Sequence, residues 1–250
     1  MIKPSILIKG PFNRANVNVS YNPVSNRKKD PELEKKVEAM WIKMQNEAKK
    51  NGKLIYNGGS YRLNGYEIKN GKLMIEVSKF KYSTRRPIRE FEDKLERLGP
   101  DYYSKGLATG GYIKTADDWY VFGIRSGKTM ENNSEDFIGG VLDAIDLSKM
   151  HIFDHNNSEI KEELNISMSS IKDVSLLGLV STGTCNIIMV LFSNLTLTKK
   201  DVRDCFTKEG NIEMRDLRFV RAHELEKYMY SLGGYKPEAF RLAKEVGLFY

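Results

Sequence analysis

The apolar residues of this chain come in short runs, and this limits its folds more than any other feature. The longest run, Ile187 to Phe192, is the size of one strand. A membrane-crossing helix needs roughly 20 apolar residues in succession, and no stretch approaches that. The chain must therefore bury its core with strands and amphipathic helices. At 250 residues and 28.7 kDa it is long enough to do so without disulfides. Hydrophobic residues make up 40% and charged residues 29%, a globular balance rather than a disordered one.

Turn residues divide the runs. Tyr61 to Ile68 stops at Asn70-Gly71 and Leu73 to Val77 follows, which is the signature of a hairpin. A strand over Leu54 to Tyr56 stops at Asn57-Gly58-Gly59, and Val17 to Tyr21 alternates like a strand. Tyr112 to Thr115 and Trp119 to Ile124 read as a second hairpin, turning at Asp117-Asp118. Val174 to Val180, Asn186 to Phe192 and Leu217 to Val220 read as further strands.

Helices fall between them. Asp30 is an N-cap with Pro31 at the first position, and Leu33, Val37, Met40, Trp41 and Met44 recur at helical spacing. Further helices are expected over Pro87–Leu98, Asp154–Leu164, Lys199–Phe206, Ala222–Ser231 and Pro237–Val246, with Thr198 capping the third of these. The mixture predicts an α/β fold class with layers around a mixed sheet. Gly99-Pro100 marks a boundary between an α+β part, residues 1–100, and a second part, residues 101–250.

The two parts differ in charge. Residues 1–100 hold 22 Lys and Arg against 11 Asp and Glu, a net of +11; residues 101–250 hold 18 against 22, a net of −4. A basic surface attracts phosphate-bearing partners, either small metabolites or nucleic acid. The basic residues, including Lys79, Lys81, Arg85, Arg86 and Arg89, follow no nucleic-acid-binding motif, so nucleic acid is not the favoured partner. Two cysteines, Cys185 and Cys205, form no disulfide framework or metal knuckle. The apolar stretch Ile6–Ile8 is broken at once by Lys9 and does not read as a secretory signal. These features predict a cytoplasmic protein with no membrane segment.

The chemistry concentrates in Ser158-Glu159-Ile160-Lys161-Glu162-Glu163-Leu164-Asn165-Ile166. On a helix, Glu159 shares a face with Glu162 and Glu163, while Ile160 and Leu164 turn to a core. Like charges on one face repel, and a divalent cation removes the repulsion. Mg²⁺, with Mn²⁺ as an alternative, takes hard oxygen ligands of this kind together with substrate phosphates. The upstream glycines Gly139 and Gly140 permit close backbone approach to a ligand. His151, His155 and His223 lack zinc-binding spacing; His151 and His155 read as residues of a loop or helix start.

This region resembles the Nudix hydrolase family. That family's box contains a glycine, a glutamate and then Arg-Glu-apolar-x-Glu-Glu-x-Gly-apolar. Glu159, Ile160, Glu162, Glu163 and Ile166 match its second half, and Gly140 matches the opening glycine. The run "WYVFGIRS", Trp119 to Ser126, is similar to the strand before the box, and "DLRFVRAHEL", Asp216 to Leu225, to the late strand and helix start. The resemblance covers about residues 106–250 and implies a Nudix-type α/β/α sandwich around a mixed sheet, preceded by a smaller α+β domain. Ser158 stands in place of the box arginine and Asn165 in place of the closing glycine. The loop before Ser158 is longer than the family spacing. Counting without a gap puts Asp146 at the first glutamate, and Asp143 fits as well.

The resemblance further implies metal-dependent hydrolysis of a nucleoside diphosphate linked to another moiety. Glu159, Glu162 and Glu163 would be ligands, and Glu159 or Glu163 the base, with Glu213 as an alternative base. Arg125, Gly139 and Gly140 would contact substrate. "LIYNGGSYRL", Leu54 to Leu63, and "VSKFKYST", Val77 to Thr84, look like the subgroup related to UDP-sugar diphosphatases, which implies UMP and a sugar 1-phosphate as products. Two other readings compete: a degenerate domain that binds nucleotides without cleaving them, favoured by Ser158 and Asn165, and a Nudix protein that processes RNA ends.

Overall fold

The computed structural model describes residues 2–53, 55, 57–126, 134–142, 151–183, 186–208 and 213–249. Ten strands among them form one mixed sheet. In chain order these are β1 (Ser5–Phe12), β2 (Val17–Tyr21), β3 (Gly59–Lys69), β4 (Lys72–Lys81), β5 (Gly106–Lys114), β6 (Trp119–Arg125), β7 (Glu135–Asp136), β8 (Ile171–Ser181), β9 (Asn186–Leu195) and β10 (Met214–Arg221). The helices are α1 (Pro31–Lys50), α2 (Tyr82–Ile88), α3 (Glu92–Leu98), α4 (Ile152–Leu164), α5 (Lys199–Lys208), α6 (Leu225–Leu232) and α7 (Lys236–Glu245). No helix of the described residues is long and apolar enough to cross a membrane.

The main path of the sheet runs β1-β8-β9-β5-β3-β4-β2, and β6 joins β5 while carrying β7 and β10. The pairs β5–β9 and β2–β4 are parallel and the other strand pairs are antiparallel. Helices cover both faces, as the α/β expectation requires. On one face α4 and α5 bury Ile160, Leu164, Val202 and Phe206 against Ile113 and Val121. On the other, α6 and α7 bury Leu225, Met229, Phe240 and Ala243 against Tyr112 and Phe122.

The sheet crosses the boundary expected at Gly99-Pro100. Strand β1 pairs along β8, and Arg62 of β3 pairs with Gly106 of β5. Residues 1–100 therefore share backbone hydrogen bonds with residues 101–250. The helix expected over Pro87–Leu98 is two helices, because residues 89–91 tighten into a 3-10 turn between α2 and α3. Leu54 and Tyr56 of the expected first strand lie outside the described residues, as does Cys185. Cys205 is a free thiol.

Strand β5 is the spine. One edge pairs along its whole length with β9. The other edge is shared by β3 at Gly106, by residues 138–142, and by β6 at Ile113 and Lys114. Such crowding needs small residues. A Cβ on Gly111 would lie 1.8 Å from the Leu191 carbonyl oxygen. Gly111→Ala is therefore expected to cost about 3 kcal/mol or more in urea unfolding. Gly65→Ala, on a strand position with open space around it, should change stability by no more than about 0.5 kcal/mol.

Candidate functional site

Helix α4 starts with a cap built on His151. Its side chain accepts the Phe153 N–H, and Asp154 accepts the His151 N–H in return. Arg14 pairs with Asp154, and His151 Nε2 lies 3.0 Å from the Val17 carbonyl oxygen. The helix ends at Asn165, which has φ 53° and ψ 42° and donates from Nδ2 to the Cys205 carbonyl at 3.0 Å. This left-handed position is the one glycine commonly fills after a helix, and asparagine tolerates it better than other side chains. Asn165 thus does locally what the closing glycine of the resembled motif would do.

Residues 138–142 lie along β5 and bring their backbone under α4. The Thr109 N–H donates to the Gly140 carbonyl at 2.8 Å and the Leu142 N–H to the Leu107 carbonyl at 3.0 Å. Gly139 has φ +144°, and a Cβ there would sit 2.4 Å from the Thr109 carbonyl oxygen. A Cβ on Gly140 would meet the Glu159 carboxylate at 2.4 Å. Gly139 has no room for a side chain, and one at Gly140 would displace the Glu159 carboxylate.

Three residues of α4, spaced four apart, meet three consecutive residues of this segment. Glu163 Oε2 accepts the Gly139 N–H at 2.9 Å. The Glu159 carboxylate lies against Gly140. The His155 ring lies beside the Val141 backbone, its Nδ1 is 3.1 Å from Thr109 Oγ1, and its Nε2 is 3.4 Å from Glu159 Oε1. Of the residues singled out from sequence, Arg125, Gly139, Gly140, Glu159, Glu163 and Glu213 are thus gathered. Arg125 Nη1 stands 3.5 Å from Glu213 Oε2, and both act electrostatically on Glu163. Glu162 belongs to the adjacent, exposed face of the helix. Asp143 and Asp146 lie outside the described residues.

Of the two readings given to His155, loop or helix start, the structure has the helix start; its burial, at 5% exposed, is what the sequence reading missed. Its signal was present: it precedes Glu159 by four positions and Glu163 by eight, continuing the same helical stripe upstream.

Electrostatics set this site apart. Burial pushes the Glu163 carboxyl up to about 8, and the nearby Glu159 and Glu213 add to the rise. The Gly139 N–H and Arg125 oppose it. Burial also pushes His155 down to about 4, so the ring is neutral at pH 7. Strongly shifted groups gathered at one place are typical of functional sites.

The donor chemistry fits a hard divalent cation. Mg²⁺ is commonly held by one or two carboxylates and completes its shell with substrate phosphate and water. Glu159 and Glu163 supply such a pair, with Glu162 one position away on the helix. Among the described residues no group of three or more His, Cys, Asp or Glu side chains stands ready to hold a metal.

No protein-family model matches the chain, and no curated protein matches it. Several solved structures are similar in part. DR0079 from Deinococcus radiodurans is 13% identical, with 60% of this chain and 89% of that chain covered and a TM-score of 0.42. The Nudix hydrolase RenU from M. smegmatis is 10% identical, over 58% and 86% of the two chains, with a TM-score of 0.40. The MutT protein from Methanosarcina mazei Go1 is 14% identical, over 57% and 95%, with a TM-score of 0.41. At these scores they are loose likenesses and do not fix the family.

Glu163 generates a test. A carboxyl whose folded pKa lies near 8 and whose unfolded pKa lies near 4.3 binds more protons folded than unfolded between those values. Its contribution to stability is therefore fully present below about pH 4 and is lost as pH rises through about 8. In chelator, Glu163→Gln should gain stability over wild type progressively from pH 5 to 8, reaching on the order of a few kcal/mol. Thermal melts of both proteins across that range would check it; parallel curves would refute the shift.

Proposed function

We propose that this chain is a metal-dependent hydrolase of the Nudix type. Its reaction is attack of water on one phosphorus of a nucleoside diphosphate linked to another moiety. A UDP-sugar, cleaved to UMP and a sugar 1-phosphate, is the favoured substrate, resting on the resemblance of residues 54–63 and 77–84. The observation that carries the reading is the Glu159–Glu163 stripe laid against Gly139 and Gly140.

A divalent cation held by Glu159, Glu162 and Glu163 would neutralise the diphosphate and polarise the phosphorus–oxygen bond. The remaining work falls to the chain's own residues. Arg125, 14% exposed at its side chain, would grip a phosphate oxygen with its two-pronged donor face. The glycine segment lets the substrate approach bare backbone. Glu159 or Glu163 takes the proton from water. For Glu163, a proton affinity raised toward the operating pH suits that task, and Arg125 favours the ionised form that must do it. Glu213, ion-paired to Arg125, is the alternative base.

The competing reading, a nucleotide-binding domain without turnover, rests on Ser158 and Asn165. Asn165 weighs little for it, because the left-handed helix cap is formed all the same. Processing of RNA ends keeps the same chemistry and enlarges the substrate.

The pure protein, given Mg²⁺ or Mn²⁺, should cleave at least one member of a panel of UDP-sugars, ADP-ribose, dinucleoside polyphosphates, nucleoside triphosphates and capped RNA. Chromatography would identify the products. Glu159→Gln and Glu163→Gln should each lower kcat by about 10²-fold or more while the fold persists. Glu162→Gln should raise the metal concentration needed for half-maximal rate. No cleavage of any panel member, with metal-dependent nucleotide binding retained, would replace the enzyme reading with the binding one.

A further inference from the structure

We propose that His155 is a positioning residue for Glu159: it holds that carboxylate from one turn back along α4, where the uncharged Ser158 offers no ion pair. This rests on the proposed hydrolase reading for its consequence in turnover, but the contact itself stands on geometry. The ring is buried and is fixed from two sides. Thr109 Oγ1 lies 3.1 Å from Nδ1, and Nε2 lies 3.4 Å from Glu159 Oε1. The Thr109 hydroxyl can donate to Nδ1, which places the ring's one proton on Nε2, facing Glu159. A donor at Nε2 orients the carboxylate and leaves its formal negative charge to attract a cation.

The geometry around the pair is confining. The Glu159 carboxylate rests so close to the bare Cα of Gly140 that a Cβ there would push it aside. The neighbouring residue Asn156 is also buried, with Nδ2 3.5 Å from Ser193 Oγ. Two polar side chains in succession thus face the sheet at a point where helix-on-sheet packing would ordinarily use apolar ones. Burying a polar group costs free energy unless it is hydrogen-bonded. The contacts of His155 to Thr109 and Glu159 meet that requirement and at the same time link β5 to the carboxylate.

Two variants and two readouts test this. His155→Leu keeps the buried volume and removes the donor; His155→Gln keeps an N–H donor of similar reach. In the protein labelled with ¹⁵N-histidine, the His155 ring should be the Nε2–H tautomer, and its Nε2 resonance should move in Glu159→Gln while those of His151 and His223 do not. The other tautomer, or an unmoved resonance, would overturn the contact whether or not the protein hydrolyses anything. In kinetics, His155→Leu should lower kcat about 10-fold with KM changed less than about 3-fold, and should weaken Mn²⁺ binding about 10-fold, as orienting partners of metal ligands do. His155→Gln should restore most of both. Equal impairment of the two variants, with equal loss of melting temperature, would mean that the ring only fills space. A wild-type protein that cleaves nothing would sink the hydrolase reading, while the NMR result would still decide the His155–Glu159 contact.

Discussion

The site depends on one close approach: Gly139 lies so near β5 that no Cβ fits between them, and α4 lays its carboxylates on that same segment. Gly139 and Gly140 let residues 138–142 lie under α4, so that a backbone N–H reaches Glu163 and a carboxylate rests on a bare Cα. The same segment is held from below by β5, through the Thr109 N–H and the Leu107 carbonyl. Helix, segment and strand are therefore positioned as one unit. The apolar side of α4, through Ile160 and Leu164, anchors that unit in the core.

Electrostatic cost accumulates where the packing is tightest. A carboxyl as buried as Glu163 loses most of its hydration, and the hydrogen bond from the Gly139 N–H only partly offsets this. Glu159 and Glu213 make the ionised form harder still, while Arg125 makes it easier. Such a balance gives little to folding, but it makes a cation or a proton a welcome guest. The contrast with Glu135 is informative. That carboxylate receives the Tyr228 hydroxyl at 2.7 Å and Arg218 at 3.1 Å, which hold its pKa below the ordinary value against burial. It ties β7 to α6 and β10 and has its acceptor sites occupied.

The basic first part of the chain belongs to the same construction. Strands β3 and β1 extend the sheet on either side of β5, β8 and β9. Arg14 and Val17 meet the first turn of α4 through Asp154 and His151. At the expected boundary α3 ends at Gly99, and a 3-10 turn starts at Pro100. Local composition reports where a helix stops; it does not report which strands hydrogen-bond across the stop.

Periodicity and turn chemistry by themselves determined most of the elements: the capped helix at Asp30-Pro31, the Asn70-Gly71 and Asp117-Asp118 hairpins, and the helix carrying Glu159 and Glu163. These are readable because their causes lie within a few residues of one another. The tertiary structure decided the rest. It placed Glu163 in the core and left Glu162 in solvent, although both are glutamates on the same turn, because the bearing of α4 on the sheet selects one edge of the helix. It made His155 a buried neighbour of Glu159, a role that depends on Thr109, 46 positions away. It also let Asn165 take a glycine's place through a bond to the carbonyl of Cys205. Each of these rests on a contact between distant segments, and a linear pattern carries no record of which distant segments meet.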